Sequence, residues 1–306
     1  MSDTAKTGRI LKGIGGFYYV EAGGAVYECK ARGIFRKDDI RPVAGDYVRI
    51  AVNGDGQTGV IDEMLPRKNY LIRPPIANID RMLFIVSTTE PVPNTLVLDK
   101  LLAVAEYKEI EQIIVLTKID LQRLGQLQEV YERAGFPVYV ADYEDPQSLS
   151  RIGDACAGGL CVFCGNSGVG KSTLINALDN SLDITTGEIS QKLGRGRHTT
   201  RSVELYPQEG GGYIADSPGF SSLETERLET IYKERLQYCF REFAPYLDRC
   251  RFKDCSHTVE QGCAVIQAVG RGEIPESRHE SYVKMYEEAK GLKEWEREET
   301  KRKKNH

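Results

Sequence analysis

The sequence lacks the long apolar runs and the cysteine density that mark membrane proteins and disulfide-rich secreted proteins. Its 306 residues contain no apolar stretch of 18 residues, so neither a membrane-spanning helix nor a membrane partner is expected. The N-terminal residues 1–25 lack a charged-then-apolar secretory pattern, which favours a cytoplasmic location. Eight cysteines are too few for a disulfide scaffold in a chain of this length, and their clustering points to metal instead.

Composition and charge indicate a globular protein of two or three domains. Hydrophobic residues make up 41% of the chain and charged residues 28%, as in typical soluble domains. The net charge of −4 is uneven, because residues 1–73 hold 12 Lys and Arg against 9 Asp and Glu, a net of +3, and the remainder carries −7. A mildly basic N-terminal segment followed by an acidic remainder is compatible with a nucleic-acid contact, although solvated surface charge is the default interpretation.

The N-terminal segment reads as short strands separated by glycine-rich turns. Four or five such strands within about 60 residues predict a small barrel, of which the OB type is the commonest match. A generic barrel without a ligand fits the pattern as well. The predicted hairpins pair residues 17–20 with 26–29, and residues 47–52 with 58–61.

The rest of the chain divides into an α/β region and a mainly helical region. Pro66 and residues 73–75 resemble a linker. Beyond it, apolar strands alternate with amphipathic segments, which predicts a mostly parallel sheet covered on both faces. From residue 221 the apolar spacing becomes helical, and the charged stretch 279–306 carries one apolar stripe. The predicted strands are 82–86, 113–116, 138–140, 160–163 and 213–215, and the predicted domains are 1–72, 73–222 and 223–306.

A phosphate-binding loop of the pattern G-x-x-x-x-G-K-[ST] follows the strand at 160–163 and leads into a helical run. Its glycines let the backbone wrap phosphates, and amide groups near the helix start point at the negative charge. Lys171 should reach the outer phosphates, and the Ser172 hydroxyl should bind Mg²⁺. The predicted nucleotide-binding residues here are Gly165, Asn166, Ser167, Gly168, Val169, Gly170, Lys171, Ser172 and Thr173.

A guanine-recognition box, Thr117-Lys118-Ile119-Asp120, precedes this loop instead of following it. The Asp120 carboxylate can accept from both N1–H and the exocyclic amine of guanine, which adenine does not offer together. The Lys118 stem should cover the base. A P-loop kinase or ATPase is the competing class, and it fails mainly on this box. The reversed order of box and loop indicates a circularly permuted GTPase.

Asp216-Ser217-Pro218-Gly219 follows the strand at 213–215 and matches the D-x-x-G of a second switch. Asp216 should hold Mg²⁺ through water, and the Gly219 amide should meet the γ-phosphate. Residues 194–201 lie where the first switch belongs, and we assign Thr200 there as a Mg²⁺ ligand, with Thr199 as the alternative. A flexible basic loop would also fit this stretch.

Phe220 stands where many GTPases carry the glutamine that orients the attacking water. A phenyl ring has no donor or acceptor, so unaided hydrolysis should be slow. His198 is the nearest candidate for the catalytic role, since a neutral imidazole could accept a proton or orient water. RNA binding by His198, or no role, are the alternatives.

Cys250, Cys255, His257 and Cys263 follow the spacing C-x₄-C-x-H-x₅-C. Three thiolates and one imidazole complete a closed tetrahedral shell for one structural Zn²⁺. Buried free thiols or disulfides are the competing explanations. Cys161 and Cys164, on the strand that enters the phosphate loop, are expected to be buried structural thiols.

Together these residues resemble the ribosome small-subunit-dependent GTPase A (RsgA) family. The resemblance rests on the permuted boxes, the switch motifs and the Cys/His spacing. It implies an α/β fold with a circularly permuted P-loop GTPase core, an N-terminal OB-like barrel and a C-terminal mainly helical zinc-binding domain. Thr117, where asparagine is more usual, and residues 139–142, where a Ser-Ala base-contact loop is expected, depart from the pattern.

The resemblance also implies a partner and a reaction. GTP would be hydrolysed to GDP with Mg²⁺, stimulated by the small ribosomal subunit during its late maturation, with the barrel and zinc domain contacting rRNA. We expect a monomer. A GTP-dependent switch acting on a non-ribosomal protein is the alternative. Because the second switch runs directly into the C-terminal unit, we also hypothesise that γ-phosphate loss shifts that unit.

Overall fold

Five N-terminal strands close into a barrel in the computed structural model, which describes residues 4–33, 41–119, 121–179, 203–208, 210–216 and 230–291. The strands are β1 (Thr4–Ile14), β2 (Phe17–Ala22), β3 (Ala25–Ala31), β4 (Tyr47–Val52) and β5 (Thr58–Met64). Their order is β1-β2-β3-β5-β4, and the pairing of β1 with β4 closes the barrel. The glycine pairs 15–16 and 23–24 have positive φ, which two-residue hairpin turns require. The predicted small barrel is confirmed.

The segment interpreted as a linker carries a small hairpin that is part of the packed structure. Its strands are β6 (Tyr70–Leu71) and β7 (Ile76–Ala77). Ile76 and Ile79 are completely buried, and Arg67 forms a two-pronged ion pair with the buried Asp46 of the barrel region. Pro74 and Pro75 therefore lie in the turn of a packed hairpin and not in a free connection.

A six-stranded sheet forms the centre of the molecule. Its strands are β8 (Arg81–Ser87), β9 (Glu111–Thr117), β10 (Val138–Val140), β11 (Leu160–Cys164), β12 (Leu205–Pro207) and β13 (Tyr213–Asp216). The order is β10-β9-β8-β11-β13-β12, with only the β12–β13 pair antiparallel. Met82 and Phe84 face one apolar cluster while Leu83 and Ile85 face another, so both faces are covered. The predicted sheet is confirmed.

The helices of the core are α1 (Thr95–Tyr107), α2 (Leu121–Arg133), α3 (Pro146–Cys156) and α4 (Lys171–Leu178). Strand β8 lies at the centre, between β9 and β11. Its position makes the carboxyl ends of β9 and β11 neighbours of a common crevice, where open α/β sheets bind ligands. The guanine box leaves β9 at this edge, and the phosphate loop leaves β11.

Residues 230–249 of the C-terminal region are helical only in short pieces. Helix α5 (Lys233–Leu236) is a single turn, and 3₁₀ turns follow it. The longer helices are α6 (Ala264–Gly270) and α7 (Glu276–Ala289). At residues 231–249 the helical spacing predicted from residue 221 onward arises from one α-helical turn and several 3₁₀ turns, because 3₁₀ turns also bring every third residue to one side. The 3₁₀ turns are Gln237–Cys239, Arg241–Phe243 and Leu247–Arg249.

The apolar stripe predicted for 279–306 is present in α7, where Tyr282, Met285 and Ala289 are buried. Residues 292–306, with the rest of the stripe, lie outside the described residues. Within the described ranges, no helix is both long and apolar enough to cross a bilayer.

Candidate functional site

The phosphate loop connects β11 to α4, and three of its positions favour glycine for structural reasons that differ. Gly168 and Gly170 have φ of 83° and 92°, a left-handed conformation that side chains rarely adopt. A Cβ at Gly165 would lie 2.7 Å from the Ile85 carbonyl oxygen and 2.9 Å from Val169. Gly170 is the N-cap of α4 and contributes no side-chain cap. The loop thus presents backbone at a helix start, as phosphate binding requires.

Thr117 joins the guanine box directly to the phosphate loop. Its hydroxyl donates a hydrogen bond of 2.5 Å to the carbonyl oxygen of Val169, and the side chain is buried. The departure from asparagine at this position thus retains a donor that ties the two segments together. Sequence reasoning missed this contact, which spans 52 positions along the chain.

Lys118 is held over the loop that follows β8. Its backbone is left-handed, with φ of 51°, and its ammonium group donates to the Glu90 carbonyl oxygen at 2.6 Å. The Thr88 hydroxyl in turn donates to the Lys118 carbonyl oxygen at 2.7 Å. The lysine stem is therefore fixed at the edge of the crevice.

The other departure from the expected pattern, the loop after β10, is held by a serine outside the motif. The Ser148 hydroxyl donates to the Val140 carbonyl oxygen and accepts from the Asp142 amide at 3.0 Å. Ala141 is buried between them. The first turn of α3 therefore fixes this loop at the same edge of the sheet.

Asp216 ends β13 beside the phosphate loop. Its carboxylate Oδ1 lies 2.6 Å from the Lys171 ammonium, and the two side chains are 20% and 11% exposed. Ser172 follows Lys171 at the start of α4. The structure thus brings together the lysine predicted for the phosphates and a carboxylate predicted for Mg²⁺. Other predicted residues lie outside the described ranges, namely Asp120, His198, Thr199, Thr200, Gly219 and Phe220.

The four predicted zinc ligands form one compact cluster. Their ligand atoms all lie within 4.8 Å of one another. Cys250 Sγ is 3.8 Å from Cys263 Sγ, and His257 Nδ1 lies 3.5 and 3.4 Å from these two sulfurs. A tetrahedron with Zn–S bonds of ~2.3 Å has edges of about 3.8 Å, so the spacing fits a zinc ion. All eight cysteines are free in this structure, and the 3.8 Å between the Cys250 and Cys263 sulfurs is too long for a disulfide bond.

The surroundings of the sulfurs favour a bound cation. Burial raises the pKa of the Cys255 thiol to about 12, so the thiolate forms there only with a compensating positive charge. Backbone amides of Ala264 and Ile266 donate to Cys250 Sγ and Cys263 Sγ at 3.4 and 3.5 Å, as donors around metal thiolates do. The cluster is compatible with one structural zinc.

Gln237 sets the orientation of the His257 imidazole, and sequence reasoning did not identify it. Gln237 Oε1 lies 2.7 Å from His257 Nε2, so Nε2–H donates and Nδ1 is left to face the sulfurs. Burial lowers the pKa of His257, which keeps the ring in the neutral form that binds metals. A partner of this kind selects the ligating tautomer.

Replacing Gln237 with Ala is expected to weaken zinc binding by about 10- to 100-fold, because His257 loses the acceptor that orients it. Competition with a chromophoric chelator measures this change on the folded protein. The Gln237→Glu variant retains an acceptor oxygen and should remain close to wild type, as should Tyr238→Ala at the exposed neighbouring position. Equal zinc affinity in wild type and Gln237→Ala would contradict the assignment.

Comparisons with known proteins agree with this architecture. Residues 64–226 match the family model "RsgA GTPase", and residues 7–61 match "RsgA N-terminal domain". A protein of Alkaliphilus metalliredigens named small ribosomal subunit biogenesis GTPase RsgA is 43% identical over 287 residues, covering 92% of this chain and 97% of that protein. A protein of the same name from Caldanaerobacter subterraneus subsp. tengcongensis is 41% identical over 286 residues, covering 92% and 95%.

Two solved structures share the fold over almost the whole length. The crystal structure of YjeQ from Thermotoga maritima has a TM-score of 0.81 at 32% identity, covering 95% of this chain and 100% of that one. The structure of YloQ, described as a circularly permuted GTPase, has a TM-score of 0.76 at 36% identity, covering 95% and 96%.

Proposed function

The chain belongs to the RsgA family of GTPases, and we propose that it is a small-ribosomal-subunit biogenesis GTPase whose turnover that subunit stimulates. It is a GTP hydrolase that converts GTP and water to GDP and phosphate. The observation that carries the proposal is the hydrogen bond from Thr117 to Val169. It assembles a guanine box and a phosphate loop that occur in permuted order, within a chain that also carries a barrel and a Cys/His cluster.

In the proposed reaction, this chain's residues position GTP more than they react with it, since phosphoryl transfer depends mainly on positioning and electrostatics. The loop from Gly165 to Thr173 would wrap the phosphates, and Lys171 would bind the outer ones. Asp120 and Lys118 would select and cover guanine. Gly219 would meet the γ-phosphate. Mg²⁺, held by Ser172, Thr200 and Asp216, would neutralise phosphate charge.

His198 is proposed to position the attacking water in place of the glutamine that Phe220 replaces. Replacing His198 with Ala should lower stimulated hydrolysis by about 10²- to 10⁴-fold, the range for a positioned acid or base, and leave nucleotide affinity nearly unchanged. Single-turnover hydrolysis with saturating small subunits, beside a GDP and GTP binding titration, measures both quantities. An unchanged stimulated rate removes His198 from the mechanism.

The barrel surface supports an RNA contact. Two lysines lie over aromatic rings there: Lys12 over Tyr19 at 5.4 Å and Lys30 over Phe17 at 5.0 Å. Aromatic rings stack on unpaired bases while lysines meet phosphates, a combination typical of barrels that bind single-stranded RNA. We propose that this surface and the zinc-binding region contact rRNA.

The proposed organisation follows the sequence boundaries, with a barrel of residues 1–72, a GTPase domain of 73–222 and a zinc-binding domain of 223–306. Action on the ribosomal subunit would place the protein in the cytoplasm, where we propose that it works as a monomer.

Hydrolysis by the purified protein, with and without purified small ribosomal subunits, tests the function. We expect slow turnover alone, a many-fold increase with small subunits, and no increase with large subunits. ATP, in place of GTP, should be neither bound nor hydrolysed appreciably. Selective GTP binding without stimulation would support the alternative, a switch acting on a non-ribosomal protein.

A further inference from the structure

The barrel contacts the GTPase sheet at the β12–β13 hairpin. The Lys12 ammonium lies 2.5 Å from a carboxylate oxygen of Glu204, the residue before β12. The Tyr213 hydroxyl, at the first residue of β13, donates to Glu21 of the barrel at 2.9 Å. Burial raises the pKa of Tyr213 to about 12, so the phenol remains a donor at neutral pH. Both strands of the hairpin are therefore attached to the barrel.

Arg9 strengthens the attachment at Tyr213. Its guanidinium lies over the Tyr47 ring at 4.9 Å and over the Tyr213 ring at 5.2 Å. The same group donates to the Asn78 carbonyl oxygen at 2.7 Å, and the residue is only 5% exposed. The barrel therefore holds Tyr213 by its ring face as well as by its hydroxyl.

A β-bulge in β1 turns this part of the barrel toward the sheet. Ile10 pairs with Val20 and Lys12 with Tyr19, so Leu11 is an extra residue in β1. A bulge of this kind redirects side chains. Leu11 accordingly belongs to the apolar cluster that contains Leu205 of the hairpin, and not to the barrel core.

The hairpin connects the two nucleotide-sensing segments along the chain. Glu204 follows Thr200 of the proposed first switch by four positions, and Tyr213 precedes Asp216 by three. Asp216 is the residue that faces Lys171 at 2.6 Å. Strand β13 is paired to β11 over four residues, with Tyr213 at one end of the paired segment and Asp216 at the other.

Lys12 also belongs to the exposed barrel face. It lies over the Tyr19 ring at 5.4 Å, and the Tyr19 hydroxyl donates to Glu28 at 3.0 Å on the next strand. Lys12 and Glu204 are 30% and 38% exposed, so a nucleic-acid phosphate at this face can compete with Glu204 for the ammonium group.

We propose that Lys12, Arg9 and Glu21 form a clasp through which RNA bound at the barrel adjusts the β12–β13 hairpin and thereby the rate of GTP hydrolysis. Glu204 and Tyr213 are the positioning residues on the hairpin side. Through the clasp, the barrel would regulate GTP hydrolysis as well as contact RNA. This inference rests on the proposed function.

The test reverses the charges of the Lys12–Glu204 pair, one at a time and together. Lys12→Glu should lower the ratio of subunit-stimulated to basal hydrolysis by about 2- to 30-fold, the range for residues that couple two sites. Adding Glu204→Lys should restore most of the ratio. Arg49→Glu, in the exposed barrel pair Arg49–Glu63, is the matched control and should have no effect on the ratio.

The hydrolysis rates are measured at saturating concentrations of the small subunit, and a separate titration measures its affinity. A change in subunit affinity therefore does not alter the ratio. An unchanged ratio in Lys12→Glu, or no recovery in the double variant, overturns the clasp. If the wild-type protein shows no stimulation, the proposed function fails. Hydrogen exchange of the amides in the β12–β13 hairpin then tests whether the clasp holds the hairpin. Faster exchange in Lys12→Glu that the double variant reverses supports it; equal exchange in all three proteins overturns it.

Discussion

Replacing Lys171 with Met is expected to lower GTP hydrolysis by about 10²- to 10³-fold, the cost of removing one preorganised group that stabilises transition-state charge. Methionine keeps most of the side-chain length and removes the ammonium, which in wild type lies in a largely enclosed position beside Asp216. Charge interactions are stronger in such a position than at an exposed surface. Single-turnover hydrolysis at saturating GTP, with and without small subunits, measures the loss.

A matched control for this variant is Lys100→Met. Lys100 pairs with Glu288 at 2.7 Å, a carboxylate that is 59% exposed, away from the phosphate loop. This change should leave hydrolysis unaltered, because exposed pairs contribute little and Lys100 meets no part of the site. Wild-type turnover in Lys171→Met would show that the loop binds phosphate by its backbone alone.

Replacing Arg278 with Met is expected to lower the free energy of unfolding by about 3–5 kcal/mol, the cost of breaking a buried ion network from one side. Arg278 is completely buried. It donates to Asp99 on α1 at 2.6 Å and to Glu242 at 2.7 Å. Burial alone would lower the pKa of this guanidinium, but Asp99 and Glu242 outweigh burial and raise it. Urea denaturation followed by circular dichroism measures the loss.

The control for Arg278→Met removes the carboxylate charges at the same time. The triple variant with Asp99→Asn and Glu242→Gln should recover most of the stability, because no uncompensated charge remains buried. A triple variant as unstable as the single one would assign the loss to packing against Phe240, whose ring lies 4.6 Å from the guanidinium carbon.

The same network bears on how the nucleotide state is transmitted. Arg278 joins α1 of the GTPase core to the 3₁₀ turn Arg241–Phe243 and to α7. These described parts of the C-terminal region are fixed to the core by buried charge. The hypothesis that γ-phosphate loss shifts this region as a unit must therefore include breaking the network, whereas the Lys12–Glu204 pair of the barrel clasp is partly exposed.

The sequence left the backbone conformation open where two kinds of structure share one pattern. Leu236, Cys239 and Phe243 recur at the spacing of an α-helix, yet 3₁₀ turns place them on one side equally well. The prolines at 74 and 75 suggested a linker, yet the flanking residues pair as a hairpin. The spacing of apolar residues indicates which side of an element is buried, but more than one backbone conformation produces the same spacing.

The sequence by itself determined the chemistry of this protein. The phosphate loop, the guanine box, the D-x-x-G motif and the Cys/His spacing each lie within a short segment, and the identities of those residues specify what they can bind. The apolar segments likewise located four of the five barrel strands and five of the six sheet strands, because alternation and length follow from strand geometry.

Only the tertiary structure decided which distant side chains meet. Thr117 reaches Val169 across 52 positions, His257 meets Gln237 across 20, Arg278 meets Asp99 across 179 and Lys12 meets Glu204 across 192. Each pair joins two residues that are far apart in the sequence and follow no periodic pattern. A single sequence therefore contains no signal that identifies the pair. Such pairs form because a polar group buried or enclosed by folding must find a partner, and the packing of the domains decides which partner is within reach.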